Sequence, residues 1–258
     1  MSGGIFENAT LFLLIFTRFT GALFFNPLFA RRSVPSTLKS GLAFMLALIV
    51  FGTVNGAGIV APQGDFLVLI MLGAKELFIG FVLGFLLELL FGTAVMAGEL
   101  IDLQLGFSMS KIYDPASGAS IPLSATLLNL LLTLMFFLSG GHLTLVRILA
   151  LTFRVLPPGA SLLGAGAAQY IVELFGQFLV AALKLALPVI AAELLAEFGM
   201  GVLMRAAPQI NIFSVGLQLR VVLGLALLLL IVPALSRAMD SLTTYTFEKM
   251  ATAIKLMG

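Results

Sequence analysis

The chain has 258 residues, 60% of them hydrophobic and 10% charged, against about 25% charged in soluble domains; so few charges exclude a fully water-exposed globular surface and point to a membrane or a membrane complex. A net charge of +2 with no basic block argues against nucleic acid as a partner. The lack of cysteine and the single histidine, His142, exclude a disulfide framework, a thiolate metal site and a thiol nucleophile. No catalytic residue, metal or cofactor is assigned, and the chain is not expected to be an enzyme.

Apolar runs lie at about 9–30, 38–58, 66–105, 122–151, 168–204 and 212–235. Backbone in lipid must satisfy its own hydrogen bonds, and no period-2 alternation marks a barrel, so the expected fold is all-α. The first run, "MSGGIFENATLFLLIFTRF", has Arg18 inside it and no positive stretch before it, which predicts a retained structural helix and not a cleaved signal. The breaks "RRSVPS" (31–36), "NGAGIVAPQGD" (55–65), "YDPASGASIP" (113–122) and "VLPPGASLLGAGA" (155–167) are rich in Gly and Pro and short. They leave no room for a second soluble domain, so residues 1–258 read as one membrane domain.

The third run would reach about 60 Å as one helix, twice the hydrocarbon thickness. It must be broken, steeply tilted, or standing outside the bilayer. In the fifth run Pro188 removes the bond to the Lys184 carbonyl and predicts a break. Loop charge puts the N-terminal tail outside and the loop with Arg31, Arg32 and Lys39 in the cytoplasm. Six crossings would leave the C-terminal tail outside, yet Arg237, Lys249 and Lys255 favour the cytoplasm. One run is therefore expected not to cross in the ordinary sense, unless the first helix overrules the late charges.

Ionisable groups at membrane depth are paired or functional. This chain has Arg18, Lys75, Glu76, Glu88, Glu99, Asp102, Lys184, Glu193 and Glu197 inside apolar runs. Glu99 and Asp102 are spaced i,i+3 and Glu193 and Glu197 i,i+4, so each pair shares a helix face and needs a facing partner, with Arg18, Lys75 and Lys184 as candidates. A proton or cation relay is one reading; pairing between helices or subunits is favoured, because nothing gathers the acids around one midplane cavity. Gly80 and Gly84, with Gly73 upstream, give a GxxxG spacing that lets a second helix approach. Residues 97–115 and 191–209 also echo each other, each with a glutamate, a second acid, a glycine, a basic residue and a proline in that order.

Of 26 aromatic residues 23 are Phe, three Tyr and none Trp. Spanning helices place Trp and Tyr at both interfaces, so this chain lacks belts: either its aromatic positions have drifted to Phe, or its helices mostly face other protein and not lipid headgroups. The stretch "RAAPQINIFSVGLQLR" (205–220) is a polar patch between two apolar runs. Pro208 is expected to end a helix there, with Gln209 and Asn211 bonding the freed backbone groups; together with Arg205 they form a polar elbow.

The segments "FTRFTGALFFNPLFARRSVPSTLKSGLA" (16–43), "GELIDLQLGFSMSKIYDPASGASIP" (98–122) and "LPVIAAELLAEFGMGVLMRAAPQINIFSVGLQLR" (187–220) resemble the FliR family of flagellar and type III secretion export-gate subunits. The resemblance spans nearly the whole chain, and "GxxIDxQxGF" followed by "DP", then "PQ-N-F-x-x-G", is its specific part. It implies membrane-associated helical hairpins with kinked and broken helices, part of a helical multi-subunit channel in the bacterial inner membrane. It further implies a FliP-like half at 1–155 and a FliQ-like half at 156–258, with FliP-type and FliQ-type subunits, an FlhB-type switch protein and unfolded export substrates as partners beside lipid. By the same resemblance Gly106, Phe107, Met109, Ile112, Tyr113, Asp114 and Pro115 belong to a loop that plugs the pore. The competing reading is a secondary transporter or ion channel for a small solute that uses the intramembrane acids.

Overall fold

The computed structural model describes residues 2–29, 34–54, 66–107, 122–159, 165–206 and 212–257. Among them are seven α-helices and no strand: α1 (Ser2–Phe24), α2 (Ser36–Phe51), α3 (Phe66–Leu105), α4 (Leu123–Leu138), α5 (Gly141–Val155), α6 (Ala165–Ala206) and α7 (Ile212–Met257). The all-α expectation holds. Three helices are long and apolar enough to cross a membrane, at Phe66–Leu105, Gly166–Leu203 and Gln218–Met257, or four if the bent α4–α5 pair is counted as one span. That is fewer than the six crossings obtained by counting apolar runs.

Of the three possibilities for the third run a break is excluded, and two further expectations are corrected. The run at 66–105 is one unbroken helix of 40 residues, about 60 Å long. Pro188 does not break α6, which continues through it for 42 residues; long apolar flanks hold the helix on both sides, and losing one hydrogen bond at a proline is tolerated in such helices. The last run does not stop near 235. It continues through Pro233 to Met257, because Met239, Thr243, Thr246, Met250, Ala253, Ile254 and Met257 are buried at the three- and four-residue spacing of one helix face.

A fourth difference is a break that apolar-run counting does not register. The expected segment 122–151 is cut at Ser139–Gly140, where Gly140 has φ 73°, a conformation that costs a residue with a Cβ about 1–2 kcal/mol. The carbonyls at the end of α4 are met locally, the Ser139 N–H donating to the Met135 carbonyl.

The chain forms two compact units. The first comprises residues 1–90, 140–175 and 244–258. Its core holds Leu14, Ile15 and Phe19 of α1, Ile79, Leu83, Leu86 and Leu87 of α3, and Phe153 of α5. α2 packs on α1, where Phe12 meets Phe44 and Phe51 edge-on at 5.3 and 5.9 Å, a geometry that adds to the gain from burial. The second unit comprises residues 91–139 and 176–243; its buried residues include Phe91, Ile101, Leu105, Leu128, Leu132 and Phe136, with Phe91 and Phe136 in edge contact at 5.8 Å.

Candidate functional site

In the first unit Arg18 is 0% exposed and Glu76 1%, so both charges have left water completely and each donor and acceptor needs a protein partner. They find them. The Arg18 Nε donates to Glu76 Oε2 at 2.5 Å, Nη1 to Thr152 Oγ1 at 3.1 Å and Nη2 to the Leu156 carbonyl at 3.0 Å. The second Glu76 oxygen accepts the Gly159 N–H at 3.0 Å, and the guanidinium stacks over the Phe153 ring at 4.3 Å. Since Leu156 is the C-cap of α5, the guanidinium also lies where a helix presents unpaired carbonyls and partial negative charge. One ion pair thus ties α1, α3, α5 and the turn after α5.

Glycine makes that pair reachable. A Cβ on Gly21 would overlap the Leu77 carbonyl oxygen and lie 3.2 Å from the Gly80 Cα, and one on Gly80 would overlap the Arg18 carbonyl oxygen. The backbones of α1 and α3 therefore touch at this crossing, as small residues permit. Gly84 shares the contact, its Cβ position lying 2.9 Å from the Ala22 carbonyl oxygen, while Gly73 faces open space. The GxxxG spacing indicates half of the crossing; Gly21, on the opposite helix, is the half it does not reveal.

In the second unit the "GELIDLQLG" motif places Gly98 and Asp102, spaced by four, on one face of α3. A Cβ on Gly98 would overlap the backbone of Ala125, so α3 and α4 approach closely there. Both Asp102 oxygens accept the Ser124 N–H, at 3.0 and 3.1 Å. Ser124 is the second residue of α4, whose N-cap, Pro122, supplies no side-chain cap, so a carboxylate from another helix meets an orphan donor and the positive end of α4. Gly106, at φ 79°, ends α3. Replacing Asp102 by Ala is expected to lower the chain's stability by about 1–2 kcal/mol, measured as a fall in unfolding midpoint in detergent, with Asn in its place losing less.

Glu99, paired with Asp102 by spacing, is exposed while Asp102 is buried, so the two acids do not share a partner. Glu193 and Glu197 also part company. Glu193 is 1% exposed with neither oxygen hydrogen-bonded among the described residues, whereas the exposed Glu197 accepts a hydrogen bond from Arg220 Nη2. The internal echo therefore does not extend to environment, because the glutamates that align, Glu99 and Glu193, are exposed and buried respectively. Arg220, not Lys75 or Lys184, is the partner found for this pair. Lys184 and Glu88 are exposed, Lys75 is half-buried, and neither lysine makes an ion pair among the described residues.

Of the loop residues, Gly106 and Phe107 are described and half-buried; Met109, Ile112, Tyr113, Asp114 and Pro115 lie outside the described residues. So do Pro208, Gln209 and Asn211 of the polar elbow, whose remaining member, Arg205, is exposed in the last turn of α6. Among the described residues no three His, Asp or Glu side chains come together as a metal site would require.

The profile described as "Bacterial export proteins, family 1" matches residues 9–245. The chain belongs to this family. It is 32% identical to the flagellar biosynthetic protein FliR of Escherichia coli (strain K12), over 88% of this chain and 86% of that one. It is 27% identical to the FliR of Bacillus subtilis (strain 168), over 96% and 95%. It is also 30% identical to the surface presentation of antigens protein SpaR of Shigella sonnei, over 85% and 86%. The match covers both units, so the Arg18–Glu76 node and the Asp102 cap both lie within the family region.

Proposed function

We propose that the chain is a structural, pore-forming subunit of the export gate of a flagellum or type III secretion system, set in the bacterial inner membrane at the basal body. The observation that carries this reading is a family match over residues 9–245 with relatives named both for flagellar biosynthesis and for antigen presentation at the surface. In the gate, a FliP-like half (1–155) and a FliQ-like half (156–258) join FliP-type and FliQ-type subunits, an FlhB-type protein docks on the cytoplasmic side, and unfolded substrates pass through. The segment from Gly106 to Pro115 plugs the channel, with Phe107, Met109, Ile112 and Tyr113 as its seal. The polar elbow at Arg205, Pro208, Gln209 and Asn211 meets adjacent subunits, as do Lys75, Glu88, Glu99 and Lys184, which lack internal ion pairs among the described residues.

Apolar exposure supports the reading. On α4, Leu127, Leu130, Leu134, Phe137 and Leu138 are uncovered, as are Leu194, Leu195 and Phe198 of α6, and such surface requires lipid or protein against it. The test is affinity purification in mild detergent together with reconstitution of the chain alone. Co-purification of helical partners and no solute uptake by liposomes holding only this chain are expected; specific uptake or current from the lone chain would establish the transporter reading instead.

A further inference from the structure

Glu193 is the one buried charged side chain of the second unit whose oxygens are both without a hydrogen bond among the described residues. Glu197 stands one turn further along α6, so the two carboxylates lie on one face, about 5–6 Å apart at Cβ. Arg220 of α7 is bonded to the outer carboxylate, where the pair is 26% and 47% exposed. The exposed Glu197 carboxylate can be met by groups from outside the chain, whereas a buried carboxylate without a donor is costly. The guanidinium has five N–H donors in a planar fork. The chain thus holds its donor on the exposed carboxylate while the buried one stands empty one turn away.

We propose that Arg220 exchanges between two seats on α6, Glu197 at the rim and Glu193 inside, as a side-chain latch between α6 and α7. With Arg220 on Glu197, Glu193 is left without a donor; with Arg220 drawn inward, Glu193 is satisfied and Glu197 is released to bind a cation from outside the chain. The two seats lie one helical turn apart on α6, so the exchange is a swing of the Arg220 side chain along one helix face. An external Lys or Arg that takes Glu197 therefore drives Arg220 inward, which couples events at the rim to the interior of the unit. The inference stands on this chain's own residues and does not depend on the export reading.

The test is a set of size-preserving variants of the full chain in detergent: Glu193→Gln, Glu197→Gln, both together, and Arg220→Lys. If either carboxylate can seat Arg220, each single Gln variant moves the unfolding midpoint by less than about 2 °C, and the double variant loses at least about 4 °C. Failure of the double variant alone to fold is the same synergy in stronger form. Additive losses, or a single Glu193→Gln loss as large as the double, would overturn the latch. A second readout does not depend on stability. In arginine-labelled chain, the Arg220 guanidinium NMR resonance, assigned by its disappearance in Arg220→Lys, is expected to stay in its bonded, slowly rotating form in Glu197→Gln and to become free only in the double variant. A resonance already free in Glu197→Gln would likewise refute the exchange.

Discussion

Glu76→Ala is expected to cost the chain about 3–5 kcal/mol, because it leaves Arg18 charged and without its carboxylate in a site that water does not reach. Arg18 is 0% exposed, and its remaining bonds, to Thr152 Oγ1 and the Leu156 carbonyl, supply dipoles but no countercharge. The same substitution removes the acceptor of the Gly159 N–H, so the turn after α5 loosens with it. Arg18→Met alone is expected to lose a similar amount, since it strands the Glu76 carboxylate. Removing both charges together, as Arg18→Met with Glu76→Leu, is expected to recover most of the loss, for a buried ion pair exchanged for packed apolar side chains is often neutral in stability. With Glu76→Leu added as the matching single variant, unfolding of the purified chain in a denaturing detergent series gives all four corners of this cycle. A double variant as damaged as the sum of the singles would show that shape, and not uncompensated charge, governs the node.

The node also shows how much of the site was legible beforehand. Arg18 and Glu76 were readable as buried charges because an ionisable side chain inside an apolar run has to be reconciled with its surroundings. Their pairing was not readable: 58 residues separate them, and no periodic pattern links positions on different helices. Asp102 and Glu99 illustrate the reverse error. Their i,i+3 spacing suggests one shared face, but the face that matters is set by the close approach of α4 at Gly98, which takes Asp102 inside and leaves Glu99 out. Helix boundaries failed for equally physical reasons. The end of α7 carries Arg237, Asp240, Glu248, Lys249 and Lys255 and looks like a solvated tail in a hydropathy window, although its buried residues recur every three or four positions from Met239 to Met257. Proline misled in the other direction, since Pro188 lies inside a continuous helix.

Gly80→Ala is expected to damage the first unit nearly as much as breaking the ion pair, although it adds a single methyl group. The added Cβ would overlap the Arg18 carbonyl oxygen and lie 2.8 Å from the Ala22 nitrogen. Both are backbone atoms, so no rotamer change relieves the clash and α1 must move away from α3. Arg18 and Gly21 lie a turn apart on α1, as Glu76 and Gly80 do on α3, and the separation that relieves the clash therefore also stretches the 2.5 Å contact between Arg18 and Glu76. A loss of about 2–4 kcal/mol follows, part from overpacking and part from the weakened buried pair. The two parts can be separated: in the Arg18→Met, Glu76→Leu background the same Gly80→Ala change is expected to cost less, because only the packing component remains. Gly73→Ala and Gly92→Ala are the controls. Neither meets any atom within 4 Å, and each is expected to gain about 0.4–1 kcal/mol from the higher helix propensity of alanine and the smaller entropy of the unfolded chain. If Gly80→Ala costs the same with and without the charges, the glycine crossing and the ion pair are independent, and the role assigned to glycine in bringing Arg18 to Glu76 is wrong.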